Sequence, residues 1–448
     1  MFASCTKLQY LDISSFNTEK TENMEEMFNS CNDLTTLKFN NFDTSLVTSM
    51  SLMFSFCKSL TSLDLSSFKT NQVTDMYGFF SGCSSLQFLK IDNFDTSRVT
   101  VMAKMFADCS SLISLDVSKF KTTRVNRMDS MFEKCENIRS LDLSQWVTSE
   151  VTTFSTMFSG CSSLRSLQLS NFNTENGISF YNMFSNCKLL ERLDISNFNI
   201  NKANSLQAMF QNCESLTSLD LSSFYGTNIN NIEYMFSGCK KLTSLDLPNF
   251  SPNPSYLQGT FTDCHSLEYL RVPKLKTDRA LFPMGFFENC YSLKSLDLKS
   301  FTMLTAVNLG RMFKNCYALT SIDLSNFDTA NVIVMESMFE NCGSLKSLDL
   351  SHFETPRLTV MDSLFKNCTS LEDLKLKFDT SQVTKMQYMF SSCISLTSLD
   401  IRTFSTEYCN NLTNIFENIE SLELYINKKM CSKIIEILPE NFVVHDTS

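Results

Sequence analysis

Cysteine is the residue type in this sequence whose number and spacing could do chemistry. Sixteen of the eighteen cysteines, from Cys5 to Cys393, follow one another at steps of 25 or 26 residues. Thiols in such a series could form disulfides or bind a metal, but no C-x-x-C pair accompanies them. The same position holds Ile419 in the last repeat, which favours a buried, reduced thiol ladder over the disulfide or metal alternative. Cys409 and Cys431 lie outside the series and are predicted to be the more reactive or paired thiols.

Histidine offers little support for catalysis or metal binding. His265 and His352 occupy variable positions of different repeats, and His445 lies in the C-terminal tail. The sequence contains no G-x-S-x-G, P-loop, G-x-G-x-x-G or H-E-x-x-H motif. We therefore predict no enzyme, no catalytic residue, no cofactor and no metal site.

Acidic residues form a second series, one per repeat, directly after a leucine. The series reads Asp12, Lys38, Asp64, Lys90, Asp116, Asp142, Gln168, Asp194, Asp220, Asp246, Arg271, Asp297, Asp323, Asp349, Lys375 and Asp400. Eleven acids and four bases leave the series with seven of the ten net negative charges of the chain. Nine of its members are the candidate binding residues. They are Asp64, Asp116, Asp142, Asp194, Asp220, Asp246, Asp297, Asp323 and Asp349.

Two interpretations of the acidic series remain open. In the structural one, flanking serines and interspersed bases solvate and relieve the repulsion of about 1 kcal/mol or less per neighbouring pair. In the functional one, the acidic face selects a basic protein ligand or weakly binds divalent cations. The net charge of -10 argues against a nucleic acid or an anionic membrane as partner. No run of eighteen apolar residues predicts membrane insertion either.

A repeat must position both series. Its anchor is the phenylalanine of M-F-x-x-C, which recurs seventeen times, almost always at a spacing of 26 residues. These residues are Phe2, Phe28, Phe54, Phe80, Phe106, Phe132, Phe158, Phe184, Phe210, Phe236, Phe261, Phe287, Phe313, Phe339, Phe365, Phe390 and Phe416. Such a period predicts a solenoid, in which each repeat buries its apolar face against its neighbours. Phe106 should then lie next to Phe80 and Phe132.

Within one repeat, a short strand precedes the second half of the unit. Leu63 and Leu65 alternate with Ser62 and Asp64, which is typical of a strand with one buried face. Further on, Met76, Phe79, Phe80 and Cys83 have the i, i+3, i+4, i+7 spacing of a short helix, with Thr74 as its N-cap. Gly or Asn precedes the cysteine in ten of seventeen repeats, as a left-handed helix C-terminus favours. The predicted fold class is thus an α/β solenoid, with a parallel sheet on one face and short helices on the other.

The solenoid is predicted to span residues 1–419 in about sixteen units, with a C-terminal cap at 420–448. Residues 248–283 contain five of the seven prolines, so a drifted pair of repeats is expected there, or alternatively a bend or a recognition patch. MCSKIIEIL, from Met430, has helical spacing and ends before Pro439. Met1 and Phe2 lie midway through a unit without a polar cap, so self-association through this end is an alternative expectation.

The unit MFxxCxSLxSLDLSxFxTxxVTxM contains L-x-x-L-x-L and resembles the BspA-like leucine-rich-repeat surface proteins of bacteria and protists over residues 1 to about 425. The resemblance implies a right-handed leucine-rich-repeat coil. It also implies a protein on the cell surface or secreted, with a role in adhesion and in recognition of host or matrix proteins. The first residues, MFASC, are repeat sequence rather than a signal peptide, so a cytoplasmic location stays open. The expected function is protein recognition, and a scaffold that assembles end to end is the alternative.

Overall fold

The computed structural model describes residues 1–39 and 42–447 of the chain. The chain forms two compact units, Met1–Tyr225 and a second that begins at Gly226. Each unit is a β-solenoid, in which the backbone makes one coil per repeat and successive coils lie parallel to each other. Equivalent residues of adjacent coils within a unit are therefore neighbours in space.

Six short strands line one side of the first unit in its described part, residues 1–39 and 42–225. They are β1 (Tyr10–Asp12), β2 (Thr36–Lys38), β3 (Ser62–Asp64), β4 (Phe88–Lys90), β5 (Ser140–Asp142) and β6 (Ser166–Gln168). They pair in parallel as β1–β2, β3–β4 and β5–β6, and the register places Leu63 opposite Leu89. The central leucine of each strand points to the core and its neighbours point outward, as the period of two requires. Parallel strands with one buried face are thus confirmed, although each sheet has two strands rather than forming one continuous ladder.

The second unit contains seven strands and the one helix found among residues 1–39 and 42–447. They are β7 (Ser244–Asp246), β8 (Tyr269–Arg271), β9 (Ser347–Leu350), β10 (Asp373–Leu376), β11 (Ser398–Asp400), β12 (Glu423–Ile426), α1 (Ser432–Ile435) and β13 (Val443–Asp446). Strands β7–β8 and β9–β10 pair in parallel, and β11, β12 and β13 form a parallel three-stranded sheet. The β12–α1–β13 segment follows the last phenylalanine coil, where Phe416 packs edge-on against Phe442 at 5.4 Å.

A second row of parallel pairing, called the bridge column here, involves one residue per coil. In the first unit it joins Asn23, Ser49, Asp75, Val101, Arg127, Thr153, Ser179 and Ser205. In the second unit it joins Asn231 to Tyr256, and Asn308 to Val334, Val360, Lys385 and Asn411. The coil is therefore held to its neighbours on two sides, by the strands and by the bridge column.

The predicted short helices are wrong, because the M-F-x-x-C segments are consecutive tight turns. The Cys31 N–H donates to the Phe28 carbonyl of its own coil at 3.1 Å, whereas the Phe28 N–H donates to Met53 of the next coil at 2.9 Å. The Glu26 N–H likewise donates to the Ser51 carbonyl at 2.9 Å. An α-helix would direct these donors to carbonyls four residues back in the same segment. Hydrogen bonds between coils take their place, and the apolar spacing reflects inward-facing turn residues.

Left-handed backbone makes these turns possible. The residue before the cysteine position has a positive φ in all seventeen repeats, for example Gly82 at 76° and Lys134 at 54°. The predicted left-handed conformation is thus confirmed, although it closes a turn rather than a helix. At Gly82 an added Cβ would lie 2.5 Å from the Phe56 ring of the preceding coil, so glycine also allows a close approach there.

Asparagines at this left-handed position of the second unit form a side-chain ladder. The amide of Asn367 donates to Oδ1 of Asn341 at 2.7 Å, and Asn341 donates in the same way to Asn315 at 2.6 Å. Asn315 then donates to Asn289, and Asn289 donates to the Asp263 carboxylate, both at 2.6 Å. The ladder therefore runs in one direction and ends on a carboxylate.

The core consists of stacked columns of identical side chains. Phe106 is fully buried and lies 5.6 Å from the ring centroids of both Phe80 and Phe132, which confirms the predicted contact. In the second aromatic column, Trp146 stacks on Phe120 at 6.3 Å. Burial of each such side chain stabilises the fold by about 1.5–3 kcal/mol, so the repeated column supplies the stability of the coil.

A buried threonine column joins the coils in a way that the sequence did not suggest. The Thr44 hydroxyl donates to the Lys69 carbonyl at 2.9 Å and accepts the Lys69 N–H at 2.8 Å. The Thr70 hydroxyl likewise donates to the Asp95 carbonyl of the following coil and accepts the Asp95 N–H. Thr74, predicted as a helix N-cap, instead donates its hydroxyl to a carbonyl of the preceding coil at 3.2 Å. Each buried hydroxyl thereby satisfies both backbone groups of a residue one coil away.

The proline-rich coils of the second unit keep the core continuous. Pro252, Pro254 and Pro283 are buried. Phe261 stacks on Phe236 at 5.5 Å and on Phe287 at 5.7 Å. The prolines therefore change the turns without interrupting the aromatic column.

Candidate protein-binding face

The acidic series projects outward from the strands or from the equivalent extended segment of coils without an assigned strand, and most of its carboxylates close the turn that follows. We call its nine candidate aspartates the Asp face. In Asp116, Oδ1 accepts the Ser118 N–H at 3.0 Å and the Ser118 hydroxyl at 2.6 Å. Asp194 accepts the same two bonds from Ser196, at 3.1 and 2.7 Å. Such turns explain why aspartate recurs here, because its short side chain reaches the backbone two residues on.

These hydrogen bonds also keep the carboxylates ionised. The Ser118 and Ser196 donors hold the pKa of Asp116 and of Asp194 below the ordinary value, since a carboxylate that accepts hydrogen bonds loses its proton more easily. The pKa of Asp142 is lowered in the same way by Ser144, against a smaller opposing effect of the Asp116 carboxylate. These three aspartates are therefore fixed negative charges.

The first unit brings together five of the candidate residues, Asp64, Asp116, Asp142, Asp194 and Asp220. Asp64 is paired with the Lys90 ammonium at 3.5 Å. In the described part of this unit, the other four aspartates have no ion pair within 4 Å. The Asp116 carboxylate opposes the lowering of the pKa of Asp142, and the Asp194 carboxylate does the same for Asp220. The uncompensated charge is therefore concentrated in these two pairs.

The second unit holds Asp246, Asp297, Asp323 and Asp349, and here the bases of the series are paired with acids. Arg271 lies 3.3 Å from Asp246, and Lys375 lies 3.6 Å from Asp349. Asp246 precedes Pro248, which has no N–H to donate to the carboxylate. The ion pair with Arg271 takes the place of that turn bond. Exposed pairs of this kind contribute little to stability, so their main effect is to neutralise part of the face.

Shallow depressions lie along the strand surface. One in the first unit has a volume of about 660 Å³ and is lined by Arg165, Gln168, Arg192, Asp194 and Asp220, among others. One in the second unit has a volume of about 530 Å³ and includes Asp323, Asp349 and Lys375. Both are wide and polar. A depression of this kind suits side chains of a protein ligand better than an enclosed small molecule.

Exposed aromatic residues on the same strands were missed by the sequence analysis. Phe88 is 69% exposed and lines a depression of about 270 Å³ together with Asp64 and Lys90. Tyr10 and Tyr269 occupy the equivalent strand position in other coils and are also exposed. The available signal was an aromatic residue where most repeats have Ser or Thr before the strand leucine. Aromatic anchors of this kind are frequent hot spots in protein interfaces.

The cysteines of the series are free thiols. All of them are buried except the first, Cys5. The Cys57 thiol donates to the Phe28 carbonyl at 3.2 Å, and the following cysteines repeat this bond. Burial raises the pKa of these thiols, for example to about 12 for Cys213. The expectation for Cys409 and Cys431 is wrong, because both are buried; burial raises the pKa of Cys409 and brings that of Cys431 to about 12.

Thiol labelling should follow this burial pattern. Cys5 is the exposed cysteine, so Ellman's reagent at pH 8 should label one thiol quickly in the native protein and eighteen after denaturation. A Cys5→Ser variant should lose the fast phase. Fast labelling of several thiols in that variant would contradict the buried ladder.

Residues 1–39 and 42–447 contain no group of His, Cys, Asp or Glu side chains that could hold a metal ion. His265 stacks on Tyr291 and His445 on Tyr425, each at 4.5 Å, and His352 hydrogen-bonds to the Leu324 carbonyl at 2.9 Å. Each histidine thus packs in a different coil. In the same described segments, no helix has the length and apolarity required to span a bilayer.

Comparison with solved structures identifies the class of fold as that of the leucine-rich-repeat proteins. A leucine-rich-repeat protein from Bacteroides ovatus superposes with a TM-score of 0.56 at 19% identity, covering 85% of this chain and 87% of the other. A leucine-rich cell surface protein from Faecalibacterium prausnitzii has a TM-score of 0.34 at 17% identity, covering 84% of each chain. A leucine-rich-repeat protein from Eubacterium ventriosum has a TM-score of 0.32 at 14% identity, covering 86% of this chain and 83% of the other.

The family follows from the sequence. Matches to the family described as "Mycoplasma protein of unknown function, DUF285" cover residues 1–90, 61–166, 128–250, 255–349, 283–375 and 344–439. The chain belongs to this family. No curated protein matches the chain.

Proposed function

We propose that the chain is a non-catalytic protein-recognition module of a BspA-like leucine-rich-repeat surface protein, which binds a basic protein ligand through the Asp face. A role in adhesion to host or matrix proteins, on the cell surface or after secretion, is part of this proposal. Residues 1–419 are the recognition solenoid and 420–448 its cap. One observation carries the proposal: Asp116, Asp142, Asp194 and Asp220 present ionised carboxylates whose Oδ1 atoms are already held by the turns that follow them.

Fixed carboxylates favour binding because little conformational entropy remains to be lost when a ligand approaches. Adjacent coils lie about 4.8 Å apart, so neighbouring aspartates offer a row of anionic sites to a basic segment. Electrostatic complementarity of this type raises the association rate and selects the partner. Phe88, near the paired Asp64 and Lys90, adds an apolar anchor on the same surface.

Substitution of the unpaired aspartates tests the proposal. In the full chain, Asp116→Asn, Asp142→Asn, Asp194→Asn and Asp220→Asn should together weaken binding of a fluorescent ten-residue oligoarginine peptide at least tenfold. Asn keeps an oxygen that can accept the turn N–H, so the coil should remain intact. Anisotropy titrations at low and moderate salt would measure the loss.

A matched variant removes the same charge from other surfaces of the unit. Glu19→Gln, Glu25→Gln, Glu150→Gln and Glu175→Gln change exposed side chains outside the strands. This variant should bind the peptide within about twofold of the unchanged chain. Equal loss in both variants would show that binding depends on net charge alone, and it would overturn the Asp face as a site.

A further inference from the structure

The second unit carries an apolar surface away from the Asp face. It is formed by Val334 and Val360 of the bridge column, by the residues that precede this column in their coils, and by the residue after Leu281. Six side chains make up what we call the apolar band. They are Leu281, Phe282, Val307, Ile333, Val334 and Val360. Phe282 is 50% exposed and Leu281 is 38% exposed, and the other four are half-buried.

Hydrogen bonds place these residues in adjacent coils. The Val307 N–H donates to the Leu281 carbonyl at 2.9 Å, and the Ile333 N–H donates to the Val307 carbonyl at 2.8 Å. Val334 pairs directly with Val360 in the bridge column. The band therefore extends over four consecutive coils, or about 15 Å.

The coil does not require apolar residues at these positions. In the eight coils of the first unit, fourteen of the sixteen equivalent residues are polar, and Ile178 and Val101 are the exceptions. Thr74, Thr152 and Thr153 occupy the same columns in that unit without disturbing the pairing. Because the fold accepts polar side chains there, the apolar band is a surface property of the second unit. Contiguous exposed apolar surface of this kind is typical of an interaction site.

Charges beside the band indicate the chemistry of its partner. Arg279 and Arg357 lie exposed along one side. Among the described residues neither has a carboxylate within 4 Å, and the Arg357 guanidinium donates to Oδ1 of Asn331 at 3.3 Å. On the other side, Arg311 pairs with Glu336 at 3.7 Å, and Asp362 is largely buried, with Lys385 near it. The side of the band with Arg279 and Arg357 therefore carries positive charge without a carboxylate partner.

We infer that the apolar band binds an amphipathic α-helix of another protein, with carboxylates along one flank of its apolar stripe. The apolar side chains of a helix recur every 5.4 Å along its axis, close to the coil spacing of about 4.8 Å. Addition of a β-strand does not fit, because the backbone groups of this column are already engaged between coils. A helix in a groove needs only side-chain contacts, and the acidic flank reaches Arg279 and Arg357.

A designed peptide tests the inference on the full chain. The probe is an 18-residue helical peptide with leucine at i, i+3, i+4 and i+7 positions and glutamate on the flank that faces Arg279 and Arg357. It should bind saturably, and at least tenfold more tightly than a peptide with the same leucines and lysine on that flank. Replacing the stripe leucines by glutamine should abolish binding. Absence of saturable binding, or equal affinity for the two charged peptides, would overturn the inference.

Variants of the chain separate the band from the fold. Phe282→Ser, Ile333→Thr and Val334→Thr introduce residue types that the first unit carries in the same columns, so the coil should fold. Together they should weaken peptide binding by a hundredfold or more, since each buried apolar side chain contributes about tenfold or more in affinity. Ile178→Thr, 47% exposed in the equivalent column of the first unit, should change nothing. Equal binding by the triple variant and the unchanged chain would contradict the inference.

Two experimental results would contradict the helix and assign the apolar band to a different binding partner. Sedimentation that shows a dimer lost in the triple variant would assign the band to a second copy of this chain. Binding to phosphatidylcholine and phosphatidylglycerol vesicles lost in the same variant would assign it to a lipid surface. The variant with Asp116, Asp142, Asp194 and Asp220 changed to Asn should bind the helical peptide with the same affinity as the unchanged chain. This result keeps the inference independent of the Asp face.

Discussion

Raising the pH from 8 to 10 is expected to unfold the chain. Burial raises the pKa of eight cysteines of the first unit, Cys31 to Cys213, from 9.0. The native state keeps these protons at a pH where the unfolded chain has lost them. Their stabilising contribution is therefore complete below about pH 9 and is lost as the pH rises towards the folded pKa values. Between pH 9 and 10, each thiol whose native pKa lies well above 10 lowers the free energy of unfolding by about 1.4 kcal/mol. The seven thiols from Cys57 to Cys213 together account for about 10 kcal/mol, comparable with the stability of a domain.

Urea denaturation under reducing conditions at pH 8, 9 and 10, followed by circular dichroism, would measure this loss. The control is a chain with Cys135→Val and Cys161→Val, which removes two titrating groups and keeps apolar side chains in the column. Its free energy of unfolding should depend on pH less steeply, by about two protons. An unchanged slope would show that tyrosine and lysine, rather than the thiol ladder, cause the alkaline transition.

Phe106→Ala is expected to lower the free energy of unfolding by about 3–5 kcal/mol. The ring is fully buried and touches the equivalent rings of both adjacent coils. Its removal leaves a cavity that two rigid neighbours cannot fill. Urea denaturation at neutral pH is the appropriate measurement.

The control for this experiment is Phe88→Ala. Phe88 belongs to the same repeat array but is 69% exposed on the strand surface. The substitution should change the stability by about 0.5 kcal/mol or less. Similar losses in the two variants would contradict the stacked aromatic core.

Much of the fold could be predicted from the sequence, because each residue of a repeat meets its own counterpart. The 26-residue period alone places Phe106 between Phe80 and Phe132, and alternation of Leu63 with Ser62 and Asp64 defines which face is buried. The period does not reveal where backbone hydrogen bonds go. Inward-facing turn residues and a helix produce the same apolar spacing. The two structures differ in their backbone hydrogen bonds: in these turns, alternate N–H groups donate to carbonyls of the next coil.

The candidate site was predictable to a smaller extent. The outward position of Asp116 and Asp194 follows from the strand pattern, but their hydrogen bonds to Ser118 and Ser196 depend on turn geometry. Cys409 and Cys431 appeared reactive because they break the series, whereas their burial depends on coils 24 or more residues away. The apolar band was missed because its residues lie in columns that are polar in the first unit.

The asparagine ladder of the second unit couples the orientations of its side-chain amides. A carboxylate can only accept hydrogen bonds, so Asp263 dictates the orientation of the Asn289 amide, and each amide dictates the next as far as Asn367. Reversal of one amide would set two donors or two acceptors against each other. The orientation of the four asparagine amides is therefore a collective property, imposed by Asp263 at one end and transmitted from coil to coil without any movement of the backbone.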